Sequence, residues 1–384
     1  MPLGNDDRPL VSCSSRAEDP ADVVAELVAG IGEIELAGAL LFCSRRYARD
    51  ELAHALESAL PGVPLIGCTS AGELTDRGYD AESVLLVGFP AHSFSMVSLR
   101  FDDLDNFDPQ EAQGAIRQMV AGARLDHGAV PRLHQVALFL VDGLSHREEL
   151  LTMTAQHALG DVQLIGGSSG DGLSFRETGV LHEGAFHRDC AVIAVLTSRR
   201  PMHVFCANYF QPGAARMVIT EADPETRTVF EINAMPAADE YRRMVGMPGA
   251  ELDAHFFAAY PLLVRTGGQY HVRSVQSANP DGSLTFYCAI DSGVVLSIGE
   301  SIDRVAWTRQ LFEGVSGKIG EIDVVIGFDC VLNRLDAEDR QLTRELSSIY
   351  VENRVLGFNT YGEQFLAAHM NQTFSGLAIG RRAA

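Results

Sequence analysis

One order of elements occurs three times in this chain, and it constrains the fold more than any single motif does. In the first copy, the apolar run Ala39-Leu40-Leu41-Phe42-Cys43 reads as a buried strand. Residues 47–60 follow as an amphipathic helix, with Leu52, Ala55, Leu56 and Ala59 on one face, and Pro61-Gly62 ends it. Next comes Leu65-Ile66-Gly67-Cys68-Thr69-Ser70-Ala71-Gly72-Glu73-Leu74, and a strand over 83–89 closes the unit. The second copy has a strand over 136–141 and a helix over 146–159 that stops at Gly160. It continues with Gln163-Leu164-Ile165-Gly166-Gly167-Ser168-Ser169-Gly170-Asp171-Gly172-Leu173 and a closing strand over 191–197. The third has a strand over 323–328, a helix over 337–352, the loop Val355-Leu356-Gly357-Phe358-Asn359-Thr360-Tyr361-Gly362-Glu363 and a strand over 372–379.

Three such units predict a mixed α/β protein of layered sheets and helices. Between the second and third copies the pattern changes. A helix over 238–245 is broken by Pro248-Gly249. Strands over 262–265, 270–275, 284–289 and 294–298 are separated by Gly267-Gly268, Asn279-Pro280-Asp281-Gly282 and Asp291-Ser292-Gly293, all turn-forming. That is an antiparallel meander, so a second, α+β domain is expected. With 384 residues the chain suits two domains. The expected division is a flexible segment 1–20, an N-terminal domain 21–225 holding two of the repeats, and a C-terminal domain 226–384.

Charge narrows the partners. The chain has 30 basic and 51 acidic residues, a net charge of −21, which argues against a nucleic-acid groove or an anionic membrane surface as the main partner. The same charge suits a partner with a basic surface, and self-association stays open. No stretch approaches the roughly 18 uninterrupted apolar residues of a membrane helix, and the first residues lack a signal-peptide pattern. The seven cysteines are widely spaced without CxxC, and Cys43 and Cys288 sit in apolar runs as small hydrophobes. A cytoplasmic location is expected.

Few residues carry recognisable catalytic chemistry. The glycine-serine loops lack the Walker lysine and each carries an acid, Glu73, Asp171 or Glu363, that repels phosphate. They read as tight turns that also suit a pocket lining. Cys68-Thr69-Ser70-Ala71-Gly72 is not a G-x-S-x-G elbow, and no complete nucleophile-base-orienter set is visible, so an enzyme ranks last. The 12 histidines form no HxH or HExxH pair, which leaves a single axial ligand to haem as the metal use that remains. His255, in Leu252-Asp253-Ala254-His255-Phe256-Phe257-Ala258-Ala259-Tyr260-Pro261, lies among aromatic and small apolar residues that suit a porphyrin wall. His271 lies two positions before Arg273, whose guanidinium suits a propionate, and His369 precedes Met370-Asn371-Gln372-Thr373. Arg265, Arg273, Asn233 and Asn371 are candidate anchors for a small polar ligand.

These pieces resemble the FIST family of bacterial sensory proteins, which have an N-terminal and a C-terminal FIST domain. The match lies in residues 65–73, 166–171, Glu231-Ile232-Asn233-Ala234-Met235-Pro236-Ala237, Tyr361-Gly362-Glu363 and 369–373. Tyr270-His271-Val272-Arg273-Ser274 and residues 279–291 look like the nitric-oxide-sensing haem proteins within that family. The resemblance implies a haem cofactor, nitric oxide as signal, and control of a partner histidine kinase or cyclic-di-GMP enzyme. Where such relatives are expected to carry His-Pro, this chain has Tyr260-Pro261. Iron ligation then falls to Tyr260 as phenolate or to His255, or haem is lacking; a phenolate favours ferric iron and works against nitric oxide on ferrous iron. The alternative is a sensor of a small polar metabolite such as an amino acid, gripped by Arg265, Arg273 and Asn371.

Overall fold

The computed structural model describes residues 10–125, 133–266 and 268–381. It is a mixed α/β protein in which each of the three units builds the same half-sheet. In the first, strands Leu36–Ser44 and Leu65–Ser70 run parallel around helix Arg49–Ala59, and Val84–Pro90 returns antiparallel on the other side of Leu36–Ser44. The second uses His134–Val141, helix Glu148–Leu159, Gln163–Ser168 and Cys190–Ser198 in the same way. The third uses Ile322–Cys330, Val355–Thr360 and Thr373–Gly380.

After the second parallel strand of each unit comes a short hairpin, and none of the three stays in its own sheet. Glu73–Thr75, from unit one, pairs with Val355–Thr360 of unit three. Val180–His182, from unit two, pairs with Leu65–Ser70 of unit one. Glu363–Phe365, from unit three, pairs with Gln163–Ser168 of unit two. The exchange is cyclic and closes on itself. Edge strands are passed along too: Phe94–Asp102 follows unit one but pairs with Cys190–Ser198, and Met202–Asn208 follows unit two but pairs with Thr373–Gly380.

Side-chain alternation explains why the strand sequences are apolar throughout. Leu40, Phe42, Ile66 and Cys68 face a central core shared with Leu138, Leu140, Ile165, Ile326, Phe328, Leu356 and Phe358. Phe42 and Phe358, from different units, stack with centroids 4.6 Å apart. The opposite faces meet helices: Leu41 and Cys43 pack on Pro20–Ile31 and Arg49–Ala59, while Ala137 and Phe139 pack on Pro109–Leu125 and Glu148–Leu159. Val325 and Val355 pack on Arg304–Ile319 and Thr343–Glu352. A strand covered on both faces has no reason to alternate in polarity.

The shared glycine of the three loops has one cause. In the parallel ladders Leu41 lies opposite Gly67, Phe139 opposite Gly166 and Gly327 opposite Gly357. A Cβ at these glycines would sit 2.0, 1.8 and 1.8 Å from the facing carbonyl oxygens. Only glycine lets the two backbones come this close.

Between Met202–Asn208 and helix Arg304–Ile319 a fourth sheet is inserted, antiparallel at every pairing. Its core of Met217, Ile219, Val229, Tyr241, Phe257, Leu262, Phe286 and Leu296 is separate from the central one. The expected antiparallel strands are present as Leu262–Thr266, Gln269–Arg273, Val275–Ala278, Leu284–Phe286 and Val295–Ser301, but they do not form the expected meander. The hairpins Leu262–Thr266/Gln269–Arg273 and Val275–Ala278/Leu284–Phe286 lie at opposite ends of the sheet, and Val295–Ser301 pairs back with Leu262–Thr266. The turn glycines Gly268, Gly282 and Gly293 have φ of 84°, 86° and 84°, while Gly267 lies outside the described residues. Among the described residues, no helix is long and apolar enough to cross a membrane.

Three further expectations need correction. The segment 1–20 is not loose where it is described: Val11–Ser15 pairs with Val84–Pro90, and a helix starts at Pro20; residues 1–9 lie outside the described residues. A boundary between 225 and 226 falls in the turn joining Phe210–Asp223 to Thr228–Ile232, which are ladder partners, so it would cut one hairpin. The single helix expected over 337–352 is two, Val331–Asp339 and Thr343–Glu352, because Gln341 between them adopts φ 60°.

Candidate functional site

The residues expected to bind a cofactor or ligand do not converge. His255, on the short helix Ala254–Ala259, is exposed, and its Nδ1 lies 2.9 Å from an Asp339 carboxylate oxygen. That carboxylate holds the imidazole pKa above its usual value, favouring the protonated form, which offers no lone pair to iron. His271 and Arg273 are half-buried on Gln269–Arg273; burial, with Arg273 beside it, lowers the His271 pKa. Arg265 is exposed, its guanidinium 5.9 Å from the Tyr270 ring centroid. Asn233 accepts from the Val218 N–H and donates to Glu240, so it ties the strand to the helix.

Tyr260 does border a cleft. The ladder between Phe210–Asp223 and Val295–Ser301 shifts register between Pro212 and Arg216, so Gly213, Ala214 and Ala215 bulge away from their partners. Those three residues, with Met244, Val245, Ala259, Tyr260, Ile298, Gly299 and Arg340, line an open cleft of about 500 Å³. The size is typical of small-molecule sites. Its walls mix apolar side chains with polar groups: Arg340 is the cation among the lining residues, and Glu300 and Ser301 also line the cleft. The Arg340 Nε donates to Asp336 at 2.6 Å, and the side chain is 42% exposed, leaving the remaining guanidinium edge open.

A second constellation lies where unit two, the fourth sheet and the exchanged hairpin of unit three meet. Helix Glu148–Leu159 opens with two acids, and both face Arg227: its Nη2 is 2.7 Å from Glu148 and 2.6 Å from Glu149. Arg227 also donates to the Tyr287 carbonyl, and Glu149 accepts from the Ala289 N–H at 2.6 Å. Burial drives the Glu148 pKa up despite Arg227; for Glu149, burial is outweighed by His369, Arg227 and the Ala289 N–H, and the pKa falls. Beside them are Cys288 and His369, both buried. The Cys288 thiol contacts the Asn371 Oδ1, and the Asn371 amide donates to the Tyr361 carbonyl at 3.3 Å. Burial pushes the Cys288 thiol pKa up and the His369 pKa down. The ligating atoms of Glu149, Cys288 and His369 all lie within 4.8 Å of one another.

Sequence reasoning named Asn371 as an anchor for a small polar ligand and read Cys288 only as a hydrophobe. It noted His369 without a partner, because the group is assembled from three distant segments. The signal available was local: two adjacent acids at a helix start, and Cys288 and His369 inside the segments that carry the family resemblance.

The glycine-serine loops serve both expected roles. They knit the three units together through Ala71 N–H to Asn359 O, Gly170 N–H to Thr69 O and Ser168 N–H to Gly362 O, at 2.8 to 3.0 Å. Thr69 and Asp171 also line an open cleft with Arg45, Arg49 and Arg176, in which Asp50, Glu51 and Glu177 balance the arginines. Two of the loops hold a fully buried acid in equivalent places. Glu73 accepts from the Ser70 and Ser83 hydroxyls, and Glu363 from those of Thr360 and Thr373. Burial raises their pKa values from 4.5 to about 7 and about 8.

A raised carboxyl pKa means that the folded chain keeps a proton which the unfolded chain releases. The associated stability is therefore complete below about pH 4.5 and drains away as pH climbs towards 8. Glu363→Gln, which stays neutral, should flatten this slope by on the order of 4 kcal/mol between pH 5 and 8.5. Urea unfolding of both proteins at the two pH values measures it; parallel losses would rule the effect out.

The FIST N domain model matches residues 37–235, and the FIST C domain model matches residues 237–366. No curated protein matches the chain.

Proposed function

Because the chain belongs to the FIST family, whose domains are sensory and bind small-molecule ligands, we propose that it is a signal-transduction sensor whose ligand occupies the Tyr260 cleft. The observation that carries this reading is the bulge at 213–215. It interrupts a hydrogen-bonded ladder, and the space it opens has apolar side chains, a phenol, a carboxylate and a partly free guanidinium. FIST domains are in general sensory rather than catalytic, and the output passes to a protein partner. A histidine kinase or a cyclic-di-GMP enzyme is the partner class supported by the family resemblance.

Haem, with nitric oxide as signal, is the specific form of this reading. Of the four expected haem residues, Tyr260 alone lines the cleft, next to Met244, Val245, Ala259 and Ile298 as apolar wall and Arg340 for a propionate. The apolar side chains suit the face of a flat apolar group and Arg340 one acidic edge, with Glu300 and Ser301 as the polar remainder of the lining; when bound, haem would supply the iron to which nitric oxide attaches. His255, engaged with Asp339, is not needed. The test is the visible spectrum of the full chain after incubation with haemin and desalting. A sharp Soret band that is lost in Tyr260→Phe and kept in His271→Ala is expected. A free-haem spectrum from the unaltered protein would end the haem form.

The half-used guanidinium of Arg340 favours a second form, a sensor of a small carboxylate metabolite. A carboxylate at 100 times its Kd should then stabilise the fold by about 2.7 kcal/mol, and Arg340→Gln should remove the gain. A flat thermal-shift screen together with a free-haem spectrum would remove the cleft as the ligand site.

A further inference from the structure

The Glu149–Cys288–His369 group has no part in the ligand reading above, and it has the make-up of a coordination site. We propose that these three side chains bind a divalent transition-metal ion, zinc by donor type, with the Asn371 Oδ1 as the fourth donor. Zinc takes thiolate sulfur, imidazole nitrogen and carboxylate oxygen in tetrahedral sets, whereas a thiolate is a poor ligand for magnesium or calcium. All three ligating atoms already lie within 4.8 Å, so a small contraction closes them on one ion. Asn371 Oδ1 touches the Cys288 sulfur and so sits at the same point. Among the described residues, this is the one place that gathers three such side chains within that distance.

The surroundings hold each donor in place. The His369 Nδ1 is 3.1 Å from the Gln364 amide, which is in turn 2.8 Å from the Ser168 hydroxyl, leaving Nε2 for the cluster. Which amide atom Gln364 presents is a matter of a side-chain flip. With its oxygen towards Nδ1–H, the Nε2 lone pair points to the metal, the usual arrangement behind a ligating histidine. Gly362 makes room for the ring: a Cβ there would lie 2.8 Å from Nε2 and closer still to Cε1. Glu149 is fixed by the Ala289 N–H and Arg227, and its side chain remains 32% exposed, which gives an ion a way in. Arg227 also balances the negative charge that a thiolate and two neighbouring carboxylates bring. Binding displaces the thiol proton of Cys288 to solvent as the sulfur–metal bond forms.

The same trio could suggest a nucleophilic cysteine, but Cys288 is 0% exposed and offers no face to a substrate. An ion held here would join three parts of the fold, the unit-two helix, the fourth sheet and the exchanged unit-three hairpin. It would also lie on the segment whose Gln372 amide donates to the Ala258 carbonyl at 2.9 Å, next to the cleft residues Ala259 and Tyr260.

The test uses the full chain, stripped with a chelator and titrated with cobalt(II) and then zinc. One equivalent of cobalt should bind with intense tetrahedral d–d bands and a sulfur-to-cobalt charge-transfer band, and zinc should displace it. Cys288→Ser should lose the charge-transfer band, and Gln364→Ala should weaken zinc by about 10- to 100-fold. Circular dichroism of each variant separates lost binding from lost folding, and Glu149→Gln, at the open edge, supplies a variant that keeps the side-chain volume and leaves Arg227 paired with Glu148. It too should weaken cobalt. No cobalt spectrum in the unaltered chain, or a charge-transfer band that persists in Cys288→Ser, would overturn the proposal. Neither outcome depends on haem or on the Tyr260 cleft.

Discussion

Gly166→Ala should yield no stably folded protein, whereas Gly114→Ala, on the exposed face of helix Pro109–Leu125, should be neutral or stabilising by about 0.5–1 kcal/mol. The contrast lies in what the added methyl meets. At Gly114 nothing lies within 4 Å; at Gly166 the Phe139 carbonyl oxygen is 1.8 Å from the new carbon. That oxygen belongs to a backbone fixed on both sides, by Gln163–Ser168 in parallel and by Cys190–Ser198 in antiparallel register. It cannot retreat without separating two ladders at the centre of a sheet, and the side chains of that strand fill two cores at once. A cost above about 4–5 kcal/mol follows, a large share of the 5–15 kcal/mol that holds a typical protein together. Gly357→Ala should behave alike, since Gly327 O is equally close. Soluble yield and urea midpoints decide it: a Gly166→Ala protein with the Gly114→Ala midpoint would show that the ladder yields where the geometry says it cannot.

Arg304→Met should cost about 3–5 kcal/mol, the range for breaking a buried charge network from one side. The guanidinium is buried, 3.7 Å from Asp329 and 4.0 Å from Asp336. It donates to the Asn333 carbonyl and to the Tyr79 hydroxyl at 3.0 Å, and lies 4.7 Å from the Tyr209 ring centroid. Methionine fills the volume but leaves Asp329 in the interior with only the Tyr79 hydroxyl and the Asn333 amide for support. Adding Asp329→Asn removes the stranded charge and should recover part of the loss, which a pure packing defect would not allow. The network also ties Tyr79, on the hairpin that unit one lends, to helix Arg304–Ile319, so the variant should loosen that attachment first. Urea midpoints of the single and double variants measure both effects. A loss under about 1 kcal/mol would mean that water reaches this site.

The repeats were legible because their causes are local. Leu65-Ile66-Gly67 and Leu164-Ile165-Gly166 are similar because each glycine must meet a neighbouring backbone, and the apolar runs because each strand is covered twice. The exchange of hairpins was not legible. Glu73–Thr75 carries nothing that names Val355–Thr360 as its partner; which edge is free depends on how three sheets close around Phe42, Phe328 and Phe358. The split at Gln341 rests on one left-handed residue, which glutamine does not announce. In the site, the aromatic segment around Tyr260 was visible as composition, and Tyr260 does border a cleft. His255, on the same segment, looked equal to it, yet the turn of a six-residue helix carries it outward to Asp339. Glu149, Cys288 and His369 come from a helix start, a strand exit and a borrowed hairpin, a meeting that only tertiary structure creates.

The closed ring of borrowed hairpins has a consequence for how this molecule comes into being. The Tyr79 amide is satisfied by a Ser347 hydroxyl 268 residues further along. A nascent chain that has completed unit one therefore holds a sheet edge that stays open until the unit-two hairpin arrives, and a hairpin with no sheet to join until the last unit emerges. Pairings of such long sequence separation make folding slow, and open edges in the interval invite pairing with other chains. The last unit fills the two gaps that remain, and the ring closes. The ring trades a vulnerable synthesis for a finished state in which no unit can leave without opening the other two.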